Sequence, residues 1–501
     1  MNTQESIFQK IESIILQAGV LPENFEAEER EYADNELRFA PGAMEGIFGH
    51  HVAGDGEKTA FVDELKTYLQ MPIESAMELF ESEKAGKFST ASVRDGLMQE
   101  IIEHKENYDL NKVADLGYYF AQNGHKCETV KLGLTLLALF NFSQNETVCY
   151  LLKTLGYCEE FTDYVLMSTY DWAEKEKQDF YFELAKKLTG WGKIDVVEMM
   201  DADTEEKKEW ILCHGCKNSI LYSYLGLECA RKCDLHARLE KGNFTEEELR
   251  GASDIMEGLI DEGPCGGMSV LKNPVELTLL YLTELEKHAL DAEYLAQLSR
   301  IDSYFNDTEE IDNADLVCSK IRELVNSLDI ERVITDSIAE QTHECVQIAK
   351  MFDIDLSEQI MELLRLDFNK YYTFSYYLLT RDRYIDEFFE LCDKMVDVKM
   401  YPKKMGDSLG LGKLTDGTIA VDMIVQYLDK YPLKGKKLIE ISIHSPIIRW
   451  RNMAAKALNG WTEKLNRPLA EIDVDLYEMV KSLAEIECND STKEEWRKLI
   501  K

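Results

Sequence analysis

Apolar residues recur along this chain at the spacing of one helix face, about every 3.6 residues, in block after block. Ile7, Ile11, Ile14 and Ile15 form the first such face, and Gly19 stands where a helix C-terminus favours glycine. Phe61, Leu65 and Leu69 share the next. Pro72 sits where a first helical turn tolerates proline, and Ser89 or Thr90 is placed to cap the helix running through Leu97, Ile101 and Ile102. Residues 110–122, 128–140 and 146–155 follow at close spacing, joined by the short turns QNGHKC and NFSQN. Further blocks lie around residues 164–172, 175–188, 194–200, 205–213, 218–232 and 245–260. In the last of these, Thr245 and Glu248 have the spacing of a capping box. Period-two runs of β-branched residues bounded by turns do not occur, so strands are not expected.

Two glycine-rich connections, residues 261–274 and 400–418, punctuate the pattern. They divide the chain into residues 1–58, an N-terminal helix followed by a glycine-rich loop; 59–262 and 263–399, two helical repeat regions; and 400–501, a C-terminal set of helices. Helices of roughly ten to eighteen residues joined by tight turns are the pattern of paired-helix solenoids. The segment SPIIRWRNMAAKALNGW, residues 445–461, resembles the second helix of a HEAT repeat. Ile448 and Arg449 follow the turn, and Ala454, Ala455, Ala457 and Leu458 provide a small-residue run that permits close stacking. The resemblance implies an all-α fold, an α-solenoid of degenerate HEAT-like helix pairs with an irregular N-terminal cap.

Composition narrows the function classes. The 501 residues exceed what one compact core usually serves, and nine prolines are few for that length. Lys and Arg number 56 against 94 Asp and Glu, a net charge of −38. So acidic a surface repels phosphate backbones and argues against nucleic-acid binding. Residues 1–58 hold twelve acidic and four basic side chains, whereas residues 430–501 hold fourteen basic and eleven acidic. The N-terminus has no basic start followed by an apolar run, so no signal peptide is expected. The longest apolar stretch, residues 132–142, falls short of the about 18 residues that span a bilayer. A cytoplasmic protein with reduced thiols is the expectation for the twelve cysteines.

Candidate chemistry concentrates in two places. Cys213, Cys216, Cys229 and Cys233 have the form C-x2-C, twelve residues, C-x3-C, with His214 and His236 nearby, a pattern that four-thiolate zinc sites use. An unbroken helix over residues 218–232 would hold Cys216 and Cys229 about 20 Å apart, too far for one ion. The competing reading is therefore buried thiols packed as small hydrophobes, and a break near Gly226 would reopen the metal. The second place is RFAPGAMEGIFGHH, residues 38–51, where Glu45, His50 and His51 are the candidate functional group in a glycine-rich setting. A helix beginning at Pro41 is its structural alternative. Asp201, Asp203 and Glu205 begin like a calcium loop but lack its later glycine and glutamate. The tyrosine-rich run 371–377 has helical spacing and is expected in a core, and Lys434, Lys436, Lys437, Arg449 and Arg451 read as a solvated helix-pair face. No phosphate loop, nucleophile elbow or dinucleotide fingerprint is present.

Three blocks, RFAPGAMEGIFGHH, LGYCEEFTDYV and GWGKIDVVE, resemble acidic helical proteins of Gram-positive bacteria, some labelled limonene (monoterpene) hydroxylase. That resemblance implies an oxidoreductase acting on a small apolar substrate and transfers no catalytic residue. From the residues alone, the expectation is an interaction or scaffold protein whose acidic surface receives a protein with a basic surface. No cofactor is expected beyond zinc at the four cysteines.

Overall fold

The computed structural model describes the chain except residues 1–4, 23–24, 30–34, 52–60, 264, 309–310, 327, 329, 340–343, 402–403, 411–418 and 501. Among the described residues the fold is all-helical. No strand forms, and one isolated parallel bridge joins Ser408 to Ile447. No described helix is long and apolar enough to cross a membrane. The chain divides into two compact units. The first comprises Met1–Arg30, Phe39–Leu290 and Arg300–Leu328; the second comprises Glu31–Arg38, Asp291–Ser299 and Asp329–Lys501.

In the first unit the helix Ile7–Ala18 starts at a Ser6 capping box, in which Ser6 and Gln9 each bond the other's backbone, and ends at Gly19 with φ +76°. Phe61, Phe80, Phe88 and Phe120 meet edge-on or tilted in the core that follows. Helices Leu110–Asn123 and Cys127–Leu137 cross closely because each offers a glycine at the contact. A Cβ on Gly133 would lie 2.5 Å from Ala121 N and 2.7 Å from Gly117 O. Gly133→Ala is therefore expected to cost about 1–3 kcal/mol by forcing these helices apart, despite alanine's better helix propensity. A denaturant midpoint at or above wild type would refute the close crossing.

Packing then proceeds mainly between helices one or two apart in sequence, for example Glu174–Ala185 on Trp191–Met199 and Leu235–Lys241 on Pro274–Leu285. The Glu246–Ile260 helix opens with the expected capping box, Thr245 N donating to Glu248 Oε2 at 2.8 Å. Its glycines admit the backbone opposite: a Cβ on Gly251 would meet Leu212 O at 2.0 Å, and one on Gly258 would meet Tyr222 O at 2.5 Å.

In the second unit the helix Ile448–Leu465 buries Ala454, Ala455, Ala457, Leu458 and Trp461, as its alanine run predicts. Arg451 faces inward as well. Its Nε and Nη2 each donate to the Glu487 carboxylate at 2.7 Å, its Nη1 donates to Ser445 O, and both partners are fully buried. The solvated basic face expected of this region thus loses Arg451 to the core, while Arg449 remains about half exposed. In the tyrosine-rich run, Tyr371, Phe374 and Tyr377 are core residues, and the Tyr377 hydroxyl bridges Ile354 O and Leu356 N.

Candidate functional site

Lys131 is a cation in the middle of a largely buried helix, Cys127–Leu137, with a side chain only 4% exposed. An isolated ammonium there would be prohibitive, so its partners define the site. Glu160 Oε1 lies 2.6 Å from Lys131 Nζ, Glu45 Oε1 at 2.8 Å and Glu128 Oε1 at 3.7 Å. Glu45 comes from the helix Ala43–His51, Glu160 from the connection preceding Thr162–Ser168, and Glu128 from the turn before Lys131 on the same helix face. Tyr164 donates its hydroxyl to Glu45 Oε1 at 2.9 Å. Arg94, ion-paired with Asp163, also lies over the Tyr164 ring, 5.4 Å from its centroid.

Two of the carboxylates also hold backbone. Glu128 Oε2 accepts from Thr90 N at 2.6 Å and Thr90 Oγ1 at 2.7 Å, so a neighbouring helix supplies the cap expected of Ser89 or Thr90 themselves. Glu160 Oε2 accepts from Gly42 N at 3.0 Å. Next to it, Glu159 accepts from the N–H groups of Thr189, Gly190 and Gly192 and closes the N-terminus of the Trp191–Met199 helix. A Cβ on Gly46 would strike the Trp191 ring at 2.1 Å, so the Ala43–His51 helix lies directly on that indole. The blocks at 38–51, 155–165 and 190–198 therefore pack into one place.

The cluster's electrostatics are asymmetric. Burial disfavours the Lys131 ammonium, but Glu160, Glu45 and Glu128 outweigh it and hold its pKa above that of an ordinary lysine. Burial raises the Glu128 carboxyl, with Lys131 and Thr90 pulling the other way. Burial, reinforced by Glu45, keeps the Tyr164 phenol well up, and burial raises the Cys127 and Cys158 thiols beside the cluster. At neutral pH the lysine is charged and the thiols and phenol are protonated, so none of them is an activated nucleophile. Three carboxylates face one ammonium, and Glu45 Oε2 is buried without a hydrogen-bond partner among the described residues.

On the Cys158 side of this cluster lies a cavity of about 650 Å³. Val20, Leu21, Phe25, Tyr157 and Ile220 provide apolar wall, and Lys187, Thr189 and Ser219 provide polar wall.

Of the residues singled out by sequence, Glu45 belongs to the site. His50 and His51 end its helix, and their side chains lie outside the described residues. The four cysteines are arranged otherwise than an unbroken 218–232 helix would place them. Asn218 Oδ1 accepts from Ile220 N and Leu221 N, Tyr222–Tyr224 form a 3-10 turn, and the α-helix begins only at Gly226. Gly226 packs against Gly258, where a Cβ would meet backbone at 2.5 Å. The chain thus folds back and sets the Cys216 thiol beside that of Cys229. Lys193 Nζ caps the preceding turn through His214 O at 2.9 Å and Lys217 O at 2.6 Å. Cys229, Cys233 and Cys216 are buried and Cys213 is half-buried; all are free thiols. Among the described residues no group of three or more His, Cys, Asp or Glu is arranged to hold a metal ion.

Lys131, Glu128, Glu160, Tyr164 and Arg94 were not singled out from sequence. One signal was there: a lysine inside the apolar run 130–140 must find buried partners. No family model, curated protein or solved structure matches the chain.

Proposed function

We propose that this is a helical-repeat interaction protein that offers an acidic surface to a basic protein partner. The observation that carries this is where the charge lies. Buried charged residues among those described are Lys131, Lys193, Lys207 and Arg451 against Glu45, Glu284 and Glu487. Base, not acid, is in slight excess inside, so among the described residues the acidic excess lies outside the core. One dense display is the helix start at 201–209. There Asp203, Glu205, Glu206 and Glu209 are exposed, Lys207 and Lys208 are engaged by Asp203 and Asp234, and Glu205 and Glu206 also pair with Arg238 and Lys186. Packing between near neighbours in sequence is the arrangement that lets such a surface extend along an array. Glu205→Lys, Glu206→Lys and Glu209→Lys together should remove most basic proteins retained from a lysate by the immobilised chain. Raised salt should remove them from wild type as well, because exposed charges are screened beyond about 8–10 Å. Identical retained sets for wild type and the triple variant would end this reading.

The cavity beside Cys158 favours a second reading, in which the chain binds a small apolar molecule. Its volume and largely apolar wall suit one, and it adjoins the three blocks that resemble proteins labelled limonene hydroxylase. An oxidoreductase step on that molecule is what the resemblance adds.

A further inference from the structure

The same cavity carries an uncompensated cation. Lys187 Nζ makes no ion pair among the described residues and rests 4.3 Å from the centroid of the Tyr157 ring. The carboxylate four residues back, Glu183, accepts instead from the Tyr157 hydroxyl. The one acidic side chain on the cavity wall, Glu159, is taken up by three backbone N–H groups. In a chain with 94 acidic side chains, a wall lysine with no acid to itself is out of keeping with its surroundings.

We propose that this cavity binds a small amphipathic carboxylate, whose head pairs with Lys187 and whose hydrocarbon body covers Leu21, Phe25, Tyr157 and Ile220. The inference rests on the small-apolar-ligand reading above and adds the charge of the head group. An ammonium on a cavity wall acts at contact distance and in reduced dielectric, whereas the acids of the outer surface are screened beyond about 8 Å at physiological salt. Thr189 and Ser219 add hydroxyl groups to the wall, although Ser219 Oγ already donates to Thr189 O at 3.1 Å.

Titration calorimetry of the full chain with submicellar decanoate, decanol and decylamine tests this. Decanoate should bind at least about tenfold more tightly than either analogue. Lys187→Gln should abolish that preference, Lys187→Arg should retain it, and Ile220→Trp should prevent binding by filling the cavity. Circular dichroism would confirm that each variant is folded. Decanol binding as well as decanoate would overturn the carboxylate while leaving the apolar-ligand reading standing. Preference for decylamine would trace binding to the net charge of the chain and overturn it too. Absence of binding by all three would overturn both.

Discussion

Arg451→Met should lower the stability of the second unit by about 3–5 kcal/mol, because it strands the buried Glu487 carboxylate. The pair is bidentate at 2.7 Å, neither side chain is exposed, and the guanidinium also satisfies Ser445 O. Burial opposes the ionised form of Glu487, yet Arg451 and the Asn489 N–H hold its carboxyl below the usual glutamate range. A depressed carboxylate pKa contributes stability above the unfolded value, about 4.3, and that contribution is lost as pH falls through the folded value. In Arg451→Met burial acts on Glu487 with the guanidinium gone, so its folded value rises, and the gap, full at neutral pH, should narrow as the stranded carboxyl takes up its proton on acidification. Adding Glu487→Gln removes the stranded charge while keeping an acceptor for Asn489 N, and should recover about 1–3 kcal/mol. Trp450, Trp461 and Trp496 give a fluorescence signal for the urea transition. A loss under about 1 kcal/mol for the single variant would show that water reaches the pair.

Arg451 also marks where the sequence can and cannot be read. The alanine run around it places one face of the helix in the core, and Ala454, Ala455, Ala457 and Leu458 are buried. The same pattern does not say that Arg451 shares that face, because its partner lies 36 residues away and nothing local names it. Helix starts set by neighbouring residues were legible: Thr245 with Glu248 is a capping box in sequence and in structure. The start at Thr90 was legible in place but not in chemistry, since its cap comes from Glu128. The 218–232 segment departs from its apolar pattern for a related reason. Its apolar spacing fits a helix, but the Asn218 side chain turns the backbone, and Gly226 is held against Gly258 by a contact 32 residues distant in sequence. Glu45 was singled out for its glycine-rich setting, which the structure explains by the Trp191 ring lying over Gly46. That it faces Lys131, 86 residues on, follows only from tertiary packing.

Lys131→Met should have a comparable cost, about 3–5 kcal/mol at neutral pH, and here the stranded charge is shared by three carboxylates. The variant leaves Glu45, Glu128 and Glu160 facing one another without their shared cation, and Glu45 Oε2 already lacks a partner among the described residues. Burial raises Glu128 even with the lysine present. Removing the lysine takes away the charge that opposes this, so the folded-state value of Glu128 rises further. A carboxylate whose folded pKa lies above its unfolded value binds more protons when folded, so its cost is present at high pH and relieved as pH falls toward the unfolded value. The deficit of Lys131→Met should therefore shrink as pH falls from 7 toward the unfolded carboxylate value. Glu45→Gln in the Lys131→Met background removes one stranded charge and gives Tyr164 an acceptor still. It should restore part of the loss at pH 7 and flatten the pH dependence. Because the Ala43–His51 helix is fastened here by Glu45 and, through Gly42, by Glu160, its amides should exchange faster in Lys131→Met while those of Ile448–Leu465 do not. A deficit independent of pH, or exchange rising equally in both helices, would mean that the three carboxylates do not act on Lys131 as one coupled group.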